Sequence, residues 1–365
     1  MQSSNEFKRI ILDRIPLVDV RAPIEFERGA FPTAVNLPLM NDEERRLVGI
    51  CYKEKGQEAA IKLGYQLVSD EIRAQRIEAW KEQLLEHPDS MLYCFRGGLR
   101  SRISQAWMEE TTGKPIVRLE GGYKAFRQFL LSELEPVNVR CKPIVLSGYT
   151  GAGKTRLIQQ LEQGLDLEQI GNHRGSAFGG TLVPQPSQID FEHRLAFDLI
   201  TLQQKGYSHI VVENEGRNVG KCYLPNDLAA YFSQGDVVLL ETPLNERVLL
   251  TYQEYVLDAQ TLYIARFGEK GLQTWFDMIN SSLTRIQKRL GDERYRRALN
   301  LLVLAMEEQS RSENACLHQE WIKILLQEYY DPMYYHQIKK ISTNILFTGN
   351  FEEVLAYLQK LMYKK

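Results

Sequence analysis

Met91-Leu-Tyr-Cys94-Phe-Arg96-Gly97-Gly98-Leu-Arg100-Ser101 reads as a short apolar strand ending on a cysteine, a loop of glycine and arginine, and the start of a helix running to about Thr111. A strand that feeds a helix in this way implies a parallel α/β layer, whose functional loops lie at the carboxyl ends of the strands. Cys94 stands at such an end. Successive N–H groups of the loop point at one spot, the helix N-terminus adds partial positive charge, and Arg96 and Arg100 add full charges. A thiol placed there is expected to ionise readily and to act as a nucleophilic thiolate. A small buried cysteine beside a glycine turn is the plainer reading. Gly97 and Gly98 flanked by Arg96 and Arg100 weigh against it.

N-terminal to this loop, Ile15-Pro-Leu-Val-Asp19-Val reads as a buried strand. Asp19-Val-Arg-Ala-Pro-Ile-Glu25-Phe-Glu-Arg-Gly29 follows as a loop and short helix, and Val35-Asn36-Leu37-Pro38 as a small extended piece. Residues 42–86 are charged and mostly helical, with Ile72, Ile77, Trp80 and Leu84 at helical spacing. C-terminal to the loop come a strand, Pro115-Ile-Val-Arg-Leu119, then Glu120-Gly121-Gly122-Tyr123 and a helix to about Leu134. Strands alternate with helices throughout.

Residues 8–134 resemble a rhodanese domain through Asp19-Val-Arg21 with Glu25-Phe, Asn36-Leu-Pro38, the Cys94 loop and Leu119-Glu-Gly-Gly122. The family's usual His-Ile-Pro-Gly-Ala stands here as Ala30-Phe-Pro-Thr-Ala34, and residues 42–86 are longer and more charged than a minimal domain needs. The resemblance implies that Cys94 carries a sulfur atom as a persulfide. A second chemistry stays open. Cys94 and Arg100 satisfy Cys-x5-Arg, the spacing with which cysteine phosphatases hold a tetrahedral phosphate, although such an enzyme also needs a general acid.

After a connecting stretch, Glu133 to Lys142, Pro143-Ile-Val-Leu-Ser147 is a fresh strand leading into Gly148-Tyr-Thr150-Gly151-Ala152-Gly153-Lys154-Thr155 and a helix over Arg156 to Glu162. G-x4-G-K-[ST] between a strand and a helix is the context of a P-loop. The amides of Gly151 to Thr155 would cradle phosphates, Lys154 would add a point charge, and Thr155 could ligate Mg2+. The motif implies a di- or triphosphate without naming it. His209-Ile-Val-Val-Glu213 is a second strand, with Glu213 where a Walker-B acid would act. Glutamate in place of the usual aspartate argues against efficient ATP hydrolysis. His173-Arg174-Gly-Ser176-Ala-Phe178-Gly179-Gly180 is a polar, glycine-dense loop suited to facing a substrate, and Arg217 closes Val212-Glu-Asn-Glu215-Gly-Arg217. Asp236-Val-Val-Leu-Leu-Glu241 and Asn344-Ile-Leu-Phe347 are further strands.

Residues 245–328 are helical and carry Arg285, Lys288, Arg289, Arg294, Arg296 and Arg297, with Tyr263, Phe267, Trp275 and Tyr295 nearby and Tyr329, Tyr330, Tyr334 and Tyr335 beyond. A solvated charged face explains such a run. Cations for phosphates beside aromatics for unstacked bases are also what RNA binding requires.

The chain thus reads as α/β, with an N-terminal rhodanese-like α/β domain over 1–138 and a C-terminal P-loop NTPase-like α/β domain with helical additions over 139–365. That pairing, with the Cys94, Gly148–Thr155, His173–Gly179 and Val212–Arg217 motifs in this order, resembles the bacterial tRNA 2-selenouridine synthases over essentially the whole length. The resemblance implies a transferase acting on the wobble uridine, position 34, of the Lys, Glu and Gln tRNAs. It would replace the sulfur of 2-thiouridine with selenium from selenophosphate, after S-geranylation by geranyl diphosphate. It also implies dealings with a selenophosphate-producing enzyme, and co-substrates with no tightly bound cofactor. Two other classes remain open. One is a rhodanese-type sulfurtransferase or phosphatase fused to an ATP-using kinase-like domain, and the other a non-catalytic RNA-binding protein.

The bulk composition fits. Hydrophobic residues at 44% and charged residues at 25% are ordinary for a globular protein. No run of about 18 apolar residues suggests a membrane span, and Met1-Gln-Ser-Ser-Asn-Glu-Phe-Lys lacks the layout of a signal peptide. Five scattered cysteines without a CxxC pair suggest neither a disulfide framework nor a metal site, and point to the cytoplasm. With a net charge of −2, a nucleic acid would be held by a local basic patch, and nothing suggests DNA.

Overall fold

The structure, a computed structural model, describes residues 4–214, 216–338 and 344–361. The chain divides into two compact units, Met1–Val139 with Ser187–Gln204, and Arg140–Pro186 with Lys205–Lys365.

The first unit is built on four strands, β1 (Leu17–Asp19), β2 (Ala34–Asn36), β3 (Met91–Tyr93) and β4 (Val117–Arg118). They lie in the order β2-β1-β3-β4, all parallel. β1 and β3 are buried at every position, as expected where helices cover both faces of a sheet. Val18, Leu92, Trp80, Trp107 and Met108 form the core on one side. β1 ends in Asp19 and Arg21, a buried bidentate pair at 2.6–3.0 Å, with Arg21 also donating to the Gly29 carbonyl. The Arg21 guanidinium stacks 3.9 Å from the Tyr123 ring. The Asp-x-Arg signature is therefore a structural clamp beneath the loops.

The charged stretch is two helices, Asp42–Leu67 and Asp70–Glu86. Asn41-Asp-Glu-Glu44 starts the first as a capping box, each side chain accepting from the other residue's amide. Gly56, with φ 84° and ψ −176°, kinks that helix in the middle. The second helix buries Trp80, whose indole donates to the Leu37 carbonyl at 2.8 Å.

The helix Gln188–Gln204, which the sequence assigns to the second domain, clusters with the first unit. Arg127 pairs with Glu192 at 2.7 Å, Phe197 packs on Phe126, and His193 donates from Nδ1 to the Ala30 carbonyl at 2.7 Å. These contacts join positions more than sixty residues apart, which local pattern does not register.

The second unit carries β5 (Lys142–Ser147), β6 (Gly164–Leu165), β7 (His209–Glu213), the hairpin β8 (Asn218–Val219) with β9 (Cys222–Tyr223), β10 (Asp236–Leu240) and β11 (Ile345–Gly349). The main sheet is parallel, in the order β11-β10-β5-β7-β6. β5 is central, and β7 pairs with it directly, Leu146 opposite Glu213. The helix after the P-loop spans only Lys154–Gln159. It ends before Glu162 because residues 160–164 turn back to feed β6. A separate helical core gathers Trp275, Ile279, Leu283, Leu302, Trp321 and Leu325. Among the described residues no helix is long and apolar enough to cross a membrane.

Candidate functional site

Cys94 follows β3 directly and is 3% exposed. Its Sγ–H donates to Ser101 Oγ at 3.3 Å, and Ser101 donates in turn to the Gly98 carbonyl at 3.0 Å. Gly98 caps the helix Leu99–Thr112. The carbonyls of Cys94 and Phe95 accept the amides of Tyr123 and Lys124, each at 2.9 Å. This close approach explains Leu119-Glu-Gly-Gly122. Gly122 has φ +60°, and a Cβ there would lie 2.2 Å from the Cys94 carbonyl oxygen.

The two arginines differ. Arg96 is exposed, 5.9 Å from the Phe95 ring. Arg100 does not extend into the loop as a free cation. It forms a bidentate bridge to Glu25 at 2.6 and 3.1 Å, and Arg45 reaches the same carboxylate at 2.9 Å. Burial acts to raise the pKa of Glu25, but the hydrogen bonds and charge of Arg100, with Arg45, outweigh it and hold the carboxyl below its ordinary value. Glu25 lies seventy-five positions from Arg100. Nothing local in the sequence predicts that pairing.

In the second unit, Thr150 to Thr155 line a cavity of about 780 Å3 together with His173, Arg174, Ser176 and Glu213. Gly148 stands at the foot of the loop, against the Leu240 carbonyl. Lys154 Nζ donates to the Gly148 carbonyl at 2.9 Å, and Thr155 Oγ1 donates to Glu168 at 3.1 Å. Glu168 also accepts the amide of Gly175, so one carboxylate ties the P-loop threonine to the polar loop. That loop is further pinned by Arg174 donating to the Glu254 carbonyl at 3.0 Å, and by Ser176 and Tyr255 hydroxyls 3.0 Å apart. Burial pushes the Tyr255 hydroxyl's pKa up. Burial, then the charge of Arg285, lowers that of His173. Glu168, Glu254 and Tyr255 carry no motif in the sequence, and fold topology alone brings them here.

Six apolar residues also line the cavity: Phe178, Trp321, Ile322, Leu325 and Leu326, which pack together in one core cluster, and Leu250. The cavity therefore combines cations and backbone amides with a hydrocarbon lining.

Arg217 is not among the residues facing this cavity. It packs over the Tyr223 ring at 4.9 Å and reaches the Leu224 carbonyl, against the β8–β9 hairpin. From the same motif, Asn214 donates to Ser147 Oγ at 3.0 Å, and Glu215 lies outside the described residues. A latch also braces the P-loop. Arg247 donates to the Thr150 carbonyl and pairs with Asp331 at 2.7 and 2.8 Å, and Tyr334 bonds Ser147 Oγ at 2.8 Å.

The cations expected to meet RNA are all exposed, on the helices Gly271–Leu290 and Asp292–Ser312 that meet at Gly291. Arg294 and Arg297 share Glu328, and Arg285 donates to the Ala177 carbonyl. Their aromatic companions are mostly structural. Trp275, Tyr263 and Tyr329 are core residues. Tyr334 is buried, and burial pushes its hydroxyl up to about 12. Only Phe267 and Tyr335 of that set are largely exposed.

Two family models match the chain, a tRNA 2-selenouridine synthase AAA domain over residues 141–365 and a rhodanese-like domain over 3–129. The tRNA 2-selenouridine synthase of Sulfurovum sp. (strain NBC37-1) is 48% identical over 360 residues, 99% of both chains. That of Hydrogenovibrio crunogenus is 48% identical over 362 residues, 98% of both, and that of Shewanella frigidimarina 44% over 358, again 98% of both.

Proposed function

The chain belongs to the tRNA 2-selenouridine synthase family, and from that premise we propose that it converts wobble 2-thiouridine of tRNA to 2-selenouridine in two steps, one in each unit. A thiocarbonyl sulfur is a poor leaving group, and alkylation makes it a far better one. In the first step the sulfur attacks C1 of geranyl diphosphate. The C–S bond forms, the C–O bond breaks, diphosphate departs and the base loses its N3 proton. In the second, selenium from selenophosphate forms a bond to C2. The C2–S bond breaks, geranylthiolate leaves and takes a proton, and water cleaves the P–Se bond.

The observation that carries this reading is the mixed lining of that cavity. A P-loop that shares its cavity with Phe178, Trp321 and Leu325 suits an allylic diphosphate better than it suits the polar sugar of a nucleotide. Lys154 leaves its loop carbonyl for the departing diphosphate, and the loop amides hold the charge. Thr155, Glu168 and Glu213 offer only oxygen donors beside it, the hard set that suits Mg2+, which would add charge neutralisation when bound with the diphosphate. In the first unit, Cys94 is the nucleophilic group of the selenium step: its thiolate adds to C2 and expels geranylthiolate, and the selenium of selenophosphate then displaces Cys94 from C2. The loop amides and Arg96 hold the selenophosphate oxyanion, and Arg100 joins them on leaving Glu25. The exposed cations from Arg285 to Arg297 would take the tRNA backbone of the Lys, Glu and Gln isoacceptors.

Mass spectrometry of tRNA nucleosides from cells with and without this chain tests the reading. Deletion should remove 2-selenouridine and leave 2-thiouridine at the wobble position. Persistence of 2-selenouridine would overturn it.

A further inference from the structure

The Cys94 loop borders a second cavity, of about 570 Å3, that the two-step chemistry has not yet used. That volume lies in the range of small-molecule pockets, about 300–1,000 Å3. One wall is the loop itself, through Arg96, Gly98, Leu99 and Arg100, backed by Ile103 and Trp107 of the following helix. The other wall is the kinked helix Asp42–Leu67, which contributes Val48, Tyr52, Ala60, Ile61 and Tyr65.

This gives a role to the first half of the charged stretch, residues 42–67. The helix turns Lys53, Glu54, Lys55 and Glu58 to solvent, and gives the cavity its branched and aromatic side chains. Around the mouth, Tyr52 is 58% exposed, Tyr65 48% and Leu99 45%. Large apolar side chains gathered in the open beside a reactive loop mark a binding site. Arg96 and Arg100 are the charged members of an otherwise mostly apolar lining.

The cavity shares Arg96, Gly98 and Arg100 with the loop that carries Cys94. We propose that it is a second isoprenoid subsite, which receives the geranyl chain of the S-geranylated base during the selenium step and holds the chain as geranylthiolate leaves. This rests on the two-step reading above. When C2–S breaks, the ten-carbon chain stays in the cavity and the sulfur takes up its proton. Each CH2 buried there is worth roughly a fourfold gain in affinity, so the site selects for chain length.

The test uses the full-length protein, selenophosphate and synthetic anticodon stem-loops carrying either S-geranyl-2-thiouridine or its five-carbon S-prenyl analogue. The wild-type protein should selenate the geranyl substrate with kcat/KM at least tenfold above the prenyl one. Ile103→Trp, which fills the cavity, should lower kcat/KM for the geranyl substrate at least tenfold and for the prenyl substrate much less, while geranylation of 2-thiouridine RNA is unchanged. Tyr52→Ala, at an exposed position that folding does not need, should raise KM for the geranyl substrate three- to tenfold, and it decides the matter if Ile103→Trp misfolds. If the wild-type protein selenates the geranyl substrate but both variants keep its chain-length preference, the subsite is refuted and the two-step reading stands. If the wild-type protein does not selenate S-geranyl RNA at all, the two-step reading itself falls.

Discussion

The Cys94 loop and the P-loop are the same backbone device put to different ends. Each leaves the carboxyl end of a buried parallel strand, turns through glycines and enters a helix. In the first, a thiol lies on the floor of the loop, and one of its two arginines, Arg100, is already paired with Glu25. In the second the floor has no nucleophile. Lys154 is satisfied by its own loop carbonyl, and Thr155 by Glu168. A cradle with a thiol can make and break bonds to the atom it holds, whereas a cradle with only amides and a lysine can hold a leaving group. The side chain on the floor decides the chemistry.

The widest separation comes from crossing two variants. Cys94→Ala should lower selenation of pre-geranylated RNA by about a thousandfold or more and leave geranylation within twofold. Lys154→Ala should weaken geranyl diphosphate by about 10–100-fold, as expected for a charge-assisted contact, and leave selenation of pre-geranylated RNA intact. Single-turnover assays with each substrate and equilibrium binding of geranyl diphosphate read both. The contrast between the loops breaks if either variant impairs both steps equally.

A smaller effect, of opposite sign on binding and on stability, is expected at Glu25. Glu25→Gln removes the carboxylate that neutralises Arg100 and Arg45. Selenophosphate KM should fall several-fold as Arg100 is released toward the anion, while folding stability drops by about 1–3 kcal/mol. Steady-state kinetics and denaturant titration measure the two. A rise in KM would mean that the bridge aims Arg100 instead of masking it.

What could be read from sequence was what is contiguous. Met91 to Ser101 and Pro143 to Thr155 each encode strand, loop and helix within a dozen residues, so their fold and chemistry travel together. Pairings across distance were not legible. Arg100 meets Glu25, Arg247 meets Asp331, and Glu168 links Thr155 to Gly175, each through topology alone. Burial misled in the same way. Trp275, Tyr263 and Tyr334 have the composition of a base-stacking surface, but their helical spacing turns them into the core or against the P-loop strand. Arg217 ended a motif yet faces the β8–β9 hairpin, because the chain reverses directly after it.

The last effect is on stability alone, and each unit supplies one histidine for it. His193 in the first unit is fully buried, and its partners fix its tautomer. Arg127 can only donate, so Nε2 accepts at 3.0 Å and the proton sits on Nδ1, facing the Ala30 carbonyl. His318 in the second unit is buried in the opposite tautomer. Trp321 donates to Nδ1 at 2.9 Å, and Nε2 donates to Gln309 at 3.0 Å. A second proton on either ring would break the bond from Arg127 or Trp321, and burial, the main cause, lowers both pKa values to about 4. A base that binds its proton more weakly when folded is protonated first in the unfolded chain. Each histidine therefore leaves stability untouched above pH 6.5, and stability falls as pH drops from 6.5 to about 4, at up to about 1.4 kcal/mol per pH unit. Glu25, with its lowered pKa, adds to the loss only below about pH 4.5. Glu254, raised by burial, opposes it near that same end. Between pH 6.5 and 5 the buried histidines dominate the slope, with His173 and His209, also lowered by burial, adding in the same direction. Chemical denaturation of the wild-type protein across that window should show stability falling with pH. His193→Gln should flatten the slope of the first unit's transition and His318→Gln that of the second. A slope left unchanged by both variants would show that neither ring is held neutral by its surroundings.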